Sequence, residues 1–234
     1  MIKHHPKSDL LMAFVAGELP ASLSAAVAIH TDMCPICQNF IAEETNKLAD
    51  ASFKEDSLDD VVLGNTTFEG DRFETDNVNN IDFDSMIASI TGSDSIASVQ
   101  ASIEKVIKVK GSEYVLPKAI NNMAISNWSG LGKIARARIN LNEGDIHTIL
   151  LHLDAGGSVP EHTHNGYEVT LLLDGEFKDE MGSYYPGDFI MLDSDHQHNP
   201  ITESGCLCYT VVSDSLHFTK GLNKLLNPIG SFIY

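Results

Sequence analysis

Positive charge is scarce in this chain. Its 234 residues set 15 lysines and arginines against 33 acids, a formal net charge of −18. Such an excess repels nucleic-acid phosphates and anionic membrane surfaces and favours a basic protein as partner, so neither direct nucleic-acid binding nor membrane binding is expected. Long apolar runs are missing too. No stretch approaches the roughly 18 or more consecutive apolar residues that mark a spanning helix. The opening Met1–Phe14 lacks the apolar stretch and small-residue cleavage site of a secretory signal, and a cytoplasmic protein is expected. Cysteine is limited to four residues in two close pairs, Cys34/Cys37 and Cys206/Cys208. In a reducing compartment such pairs are metal ligands or buried thiols rather than structural disulfides. Apolar residues are nevertheless plentiful at 43%, enough for one large domain or two small ones.

The acids are unevenly spread. Residues 41–100 carry 14 of them against three bases, Lys47, Lys54 and Arg72. Within this stretch the polar, Asn-rich residues 64–80 show no periodicity and read as an acidic loop. It separates a helical N-terminal block from a strand-rich C-terminal one. Leu10, Leu11, Phe14 and Val15 form an apolar stripe on a first helix that Gly17 and Pro20 end. Ser22 or Ser24 is expected to cap a second helix, Ile36–Ala49 reads as a third, and Phe83–Ile90 as a short fourth, with Asp82 and Asp84 at its N-terminal end. Beyond Val115 the period changes to two. Ile134–Ile139, Ile146–Leu153, Glu168–Leu173 and Cys206–Val212 read as strands, parted by turns at Asn142–Gly144, Ala155–Gly157, Asp174–Gly175 and Tyr185–Asp188. No helical crossover fits between them, which excludes βαβ units and leaves an antiparallel barrel or double-sheet roll.

Two groups of residues carry metal chemistry. His30, Cys34 and Cys37 stand at i, i+4 and i+7, within about 60° of one another on a helix face. Thiolates with imidazole select Zn²⁺, which takes four ligands in a closed structural site. His5 is the fourth ligand expected, with His4 the alternative, and Pro35 supplies a turn between the sulfurs. The plainer reading, two buried thiols and a helix-end histidine, leaves the nearby histidine pair unexplained. Zinc would also supply folding energy to a block with little core of its own.

In the second group His162 and His164 share one face of a strand at i, i+2. Glu168 follows after a short return, and His198 comes 30 residues later. Three imidazoles and a carboxylate suit Zn, Fe, Mn or Ni. His196, two residues before His198, is a rival for its place. Cys206 and Cys208 share a strand face, either as small apolar residues in the wall or as thiols near the metal.

The spacing Gly156-x5-His162-x-His164-x3-Glu168-x6-Gly175 matches the first motif of the cupin superfamily, and Gly187–His198 resembles the second without its usual proline. Together with His4-His5-Pro6, Leu10–Phe14 and His30-x3-Cys34-Pro35-x-Cys37, these segments resemble the ChrR-type zinc-dependent anti-sigma factors over nearly the whole chain. That resemblance implies a two-domain α + β protein. A helical zinc-binding anti-sigma domain over residues 1–95 would hold zinc on His5, His30, Cys34 and Cys37. A cupin barrel of double-stranded β-helix type over residues 110–226 would hold a metal on His162, His164, Glu168 and His198. It further implies that the first domain sequesters an extracytoplasmic-function-type sigma factor one to one, with release under singlet oxygen or peroxide stress, and that the chain is not an enzyme. The alternative is a metal-dependent cupin enzyme, such as a dioxygenase or isomerase acting on a small molecule.

Overall fold

Glycine and proline divide the N-terminal apolar sequence into three helices. In the computed structural model, which describes residues 1–54, 83–92, 104–164, 166–213 and 216–218, helix α1 spans Ser8–Ala16. It ends where Gly17 takes a left-handed φ of 73°, and the Gly17 and Glu18 N–H groups bond back to Phe14 and Ala13. Helix α2 (Ala21–Met33) starts after Pro20 without a side-chain cap, so neither Ser22 nor Ser24 plays the part expected. The Glu143 carboxylate takes the Ser22 N–H instead, at 3.2 Å, a distant acid set where the helix dipole favours it. Helix α3 (Pro35–Lys54) follows at once. The i, i+4, i+7 register read across His30–Cys37 is interrupted at the turn expected from Pro35: Cys34 is extended (φ −119°, ψ 100°) between two helices. Pro35 is the cause, because a residue before proline is pushed out of the α region while proline suits a helix's first position.

Residues 1–51 and 104–234 form one compact unit, and residues 52–103 a second. Of the second, helix α4 (Phe83–Thr91) is described, with Met86, Ile87 and Ile90 exposed along it. The expected loop at 64–80 lies outside the described residues. Among the described residues no single helix is long and apolar enough to cross a membrane.

The strands of the first unit are β1 (Val106–Val109), β2 (Ser112–Val115), β3 (Ser129–Leu131), β4 (Ile134–Ile139), β5 (His147–Leu153), β6 (His162–His164), β7 (Glu168–Gly175), β8 (Phe177–Lys178), β9 (Ser183–Tyr184), β10 (Phe189–Leu192), β11 (Cys206–Val212) and β12 (Leu216–Phe218). Six make one antiparallel sheet in the order β10-β7-β11-β5-β4-β3, and β1–β2, β6–β12 and β8–β9 pair separately. The expected cupin barrel is corrected here, for no sheet closes: among the described residues β10 and β3 each pair with a strand on one side only. The remaining strands are two to four residues long and join one another, or isolated bridges such as His162 with His198, instead of sealing the sheet's edges.

Both faces of the sheet are buried. Leu150, Val169, Leu171, Leu207, Tyr209 and Val211 pack with Leu23, Ala26, Val27 and Ile29 of α2. On the opposite face lie Ile149, Leu151, Leu172, Ile190, Cys206 and Cys208. Helix α2 is accordingly buried along most of its length, as suits a helix pressed into a core. Tyr209 ties the layers together by donating its hydroxyl to the Ser22 carbonyl at 3.0 Å. We expect Leu150→Ala to cost about 2–5 kcal/mol by the cavity it leaves, and Tyr209→Phe about 1 kcal/mol. Urea unfolding followed by circular dichroism measures both; a neutral Leu150→Ala would mean that helices and sheet do not share this core.

Candidate metal centres

The break between α2 and α3 places its two thiols beside two imidazoles. His5, His30, Cys34 and Cys37 each offer a donor atom within 4.8 Å of the others. His5 Nδ1 lies 3.4 Å from both sulfurs, and His30 Nε2 lies 3.2 Å from Cys37 Sγ. His30 is wholly buried, and its Nδ1 donates to the Gly187 carbonyl at 2.7 Å. That bond sets the tautomer and leaves an Nε2 lone pair facing the sulfurs. Burial, with His5 nearby, keeps the His30 ring below its usual pKa and so neutral. Burial and the adjoining Cys34 thiol push Cys37 up to about 12. Two thiols and two imidazoles packed in this way are a donor set suited to a cation, and a bound cation would invert their acidity. His4 lies outside the cluster; its Nδ1 is 3.5 Å from the Asp188 carboxylate.

The second cluster sits on the sheet face turned away from the helices. Strand β6 sets His162 and His164 side by side, and β7 opens with Glu168. His198 exchanges backbone hydrogen bonds with His162, at 3.1 and 3.2 Å. The four donors again lie within 4.8 Å of one another, and all four residues are buried. Glu168 Oε2 touches His164 Nε2 and lies 3.8 and 3.7 Å from His162 and His198 Nε2. Its other oxygen accepts from Thr170 Oγ1 at 2.7 Å. His162 Nδ1 donates to the Pro160 carbonyl at 2.7 Å, so its Nε2 lone pair meets His198 Nε2 only 2.9 Å away. Burial alone would raise the Glu168 pKa, but His164 and its neighbours hold it well below the usual range. Burial also opposes charge on His198, yet the Asp179 and Glu168 carboxylates keep its pKa at about 9. A dication would take the place of that proton and satisfy the converging lone pairs.

The structure brings together all eight residues read from the sequence as ligands. His196 is excluded from the second cluster; it is exposed and paired with Asp193 at 2.7 Å. Sequence reasoning missed three supports: Thr170, Asp179, whose carboxylate lies 3.6 Å from His198 Nδ1, and Asp188. Thr170 shares Glu168's strand face, a signal that was there to be used, whereas Asp179 arrives through the β8–β9 hairpin. Beside the cluster is a cavity of about 20 Å³ lined in part by His162, Glu168, Asp179, His198, Cys206 and Cys208, with room for one water-sized molecule.

The described residues thus combine an open antiparallel sheet that gathers three histidines and a glutamate with a helical segment that gathers two histidines and two cysteines. Residues 120–215 match the family described as the ChrR cupin-like domain. The chain is 28% identical over 238 residues to the anti-sigma-E factor ChrR of Cereibacter sphaeroides, covering 97% of each. Its fold is similar to that of ChrR in the crystal structure of Rhodobacter sphaeroides SigE in complex with the anti-sigma ChrR. There the TM-score is 0.57 at 23% identity, covering 91% of this chain and 99% of the other.

We expect Asp179→Asn, which removes the carboxylate beside His198, to weaken metal binding at the second cluster by about 10–100-fold. Competition against a chelator measures it, and an unchanged affinity would make Asp179 a bystander.

Proposed function

We infer that the chain is an anti-sigma factor of the ChrR type, acting in the cytoplasm on an extracytoplasmic-function-type sigma factor in a one-to-one complex. The observation that carries this reading is similarity along 97% of the chain to a protein named as an anti-sigma factor, so that helical segment and sheet match together. The solved relative was crystallised with its sigma factor, SigE. Residues 1–95 form the sigma-binding part in this proposal and residues 110–226 the sensing part. The net charge of −18 suits a basic partner. The apolar side chains Met86, Ile87 and Ile90, exposed on α4, offer contact area for such a partner.

His5, His30, Cys34 and Cys37 hold Zn²⁺ in this reading, and their two sulfurs and two nitrogens are the ligand set of closed structural zinc sites. Bound there, zinc supplies folding energy to the segment. His162, His164, Glu168 and His198 hold Zn²⁺ or another N/O-loving ion, Fe, Mn or Ni. Around that site the chain's own residues fix tautomers, through the Pro160 carbonyl and Asp179, and keep bulk water out.

The release signal in this proposal is oxidative, singlet oxygen or peroxide, and is received at the second cluster. We expect two metal ions per chain by elemental analysis. Cys34→Ser or Cys37→Ser should abolish co-purification with the sigma factor, whereas His162→Ala or Glu168→Ala should leave binding intact and block release under oxidant. A chain that retains no sigma factor but turns over a small molecule when loaded with iron or manganese would sink the reading.

A further inference from the structure

One short strand joins the two clusters. At its start, the carbonyl of Gly187 accepts from His30 Nδ1 at 2.7 Å, and the Phe189 N–H donates to the His4 carbonyl at 3.0 Å. Asp188 between them is wholly buried. Its Oδ1 accepts the backbone N–H groups of Lys3 at 2.7 Å and His4 at 3.0 Å, and its Oδ2 accepts that of Tyr185 at 2.9 Å. The carboxylate therefore grips the backbone immediately before His5. Gly187 adds close fit, because with φ at 92° a Cβ there would come within 2.4 Å of Ile2. At the other end of β10, Leu192 pairs with Glu168, and Ile190 and Leu192 line the cavity beside the second cluster.

We propose that Asp188 is a positioning residue for the N-terminal metal cluster, and that β10 transmits the state of the His162/His164/Glu168/His198 cluster to it. The register from Phe189↔Leu171 to Leu192↔Glu168 ties β10 to the strand that begins with a ligand. A displacement of Glu168, or of the segment leading to His198, is passed along a close-packed strand that has no slack to absorb it. Its far end carries the acceptor that orients His30 and the carboxylate that seats the residues before His5. Two of the four N-terminal ligands are thus aimed by a turn that belongs to the sheet.

The inference rests on the reading that both clusters bind metal, and the test separates the two. Cobalt(II) bound by thiolates gives a sulfur-to-metal charge-transfer band that the second cluster cannot produce once the neighbouring Cys206 and Cys208 are replaced by Ala in every chain compared. Titrating that band against a chelator in the full chain therefore reports the N-terminal affinity alone. Asp188→Ala should weaken it about 10–100-fold, the usual range when a ligand's orienting partner is removed. Asp188→Asn, which keeps an acceptor for Lys3 and His4 but turns a donor towards Tyr185, should fall between. Glu168→Gln, which impairs the second cluster, should also weaken the N-terminal site, yet add nothing in the Asp188→Ala background. An Asp188→Ala affinity within twofold of the parent overturns the proposal, as does a Glu168→Gln effect of equal size in both backgrounds. Should Asp188→Ala fail to fold, Asp188→Asn replaces it in both comparisons, and a change under twofold is equally fatal. A parent chain with no sulfur–cobalt band overturns the metal reading as well, whereas a normal band indifferent to Asp188 overturns the coupling alone.

Discussion

Neighbouring side chains on β11 go to opposite sides of the sheet, and neither side is open to water. Leu207, Tyr209 and Val211 meet the helices, while Cys206, Cys208 and Val212 line the face that carries the second metal cluster. An antiparallel sheet ordinarily tolerates one solvated face, and one buried on both needs a cover for each. Helix α2 supplies the first cover, which explains a composition too apolar for a free-standing surface helix. The short strands β6, β8 and β9 stand with the second face, and they bring in two histidines and, through their hairpin, Asp179.

Because the helices are a layer of this fold, the N-terminal cluster is built partly from the sheet. Its cysteines lie at a helix break and its His5 on the chain before α1, but His30 takes its orientation from the carbonyl of Gly187. Asp188 is the counterpart for the chain start. Burial would make a lone carboxylate there costly, yet three backbone N–H groups hold it ionised, with a pKa below the usual range. A carboxylate held in this way favours order above its unfolded pKa and loses that contribution as the pH falls through its lowered one.

The residues of the two clusters could be picked out of the sequence because their spacings are local. His162-x-His164 is a strand repeat, and Glu168 follows after a turn too short to lead elsewhere. The thiol pair and Pro35 were equally plain, although the helical register imposed on them was wrong in detail: a proline effect on one residue overrode the periodicity argument from His30 to Cys37. Closure of the sheet was not legible, since it depends on edge hydrogen bonds between short segments far apart in the chain. The same holds for the packing of α2, whose partners Leu150, Leu171 and Tyr209 lie far along the chain from it. His196 and His198 share one strand-like parity, so only the tertiary turn that exposes the first and bridges the second to His162 could separate them. Asp179 and Asp188 are single acids in turns, with no pattern to mark what they hold.

An oxidant acting at the second cluster, as proposed, would meet the cavity beside it. That cavity has room for about one water-sized molecule, so the species admitted would be small. Cys206 and Cys208 look like the obvious targets, but thiolates and not thiols react quickly with peroxides. Hydrogen bonding between the pair, then burial, holds Cys208 well above the ordinary thiol range. While the fold is closed the Cys208 sulfur behaves as a small apolar side chain. Of the imidazoles proposed as ligands, His162 and His198 line the same cavity and would need no deprotonation to be attacked or displaced from a metal. Damage at the ligands would loosen the segments around β6 and His198, and only that opening would expose the sulfurs to solvent. On this ordering the second cluster, with metal bound as proposed, would be the first element to respond, and the thiol pair would fix a change already made.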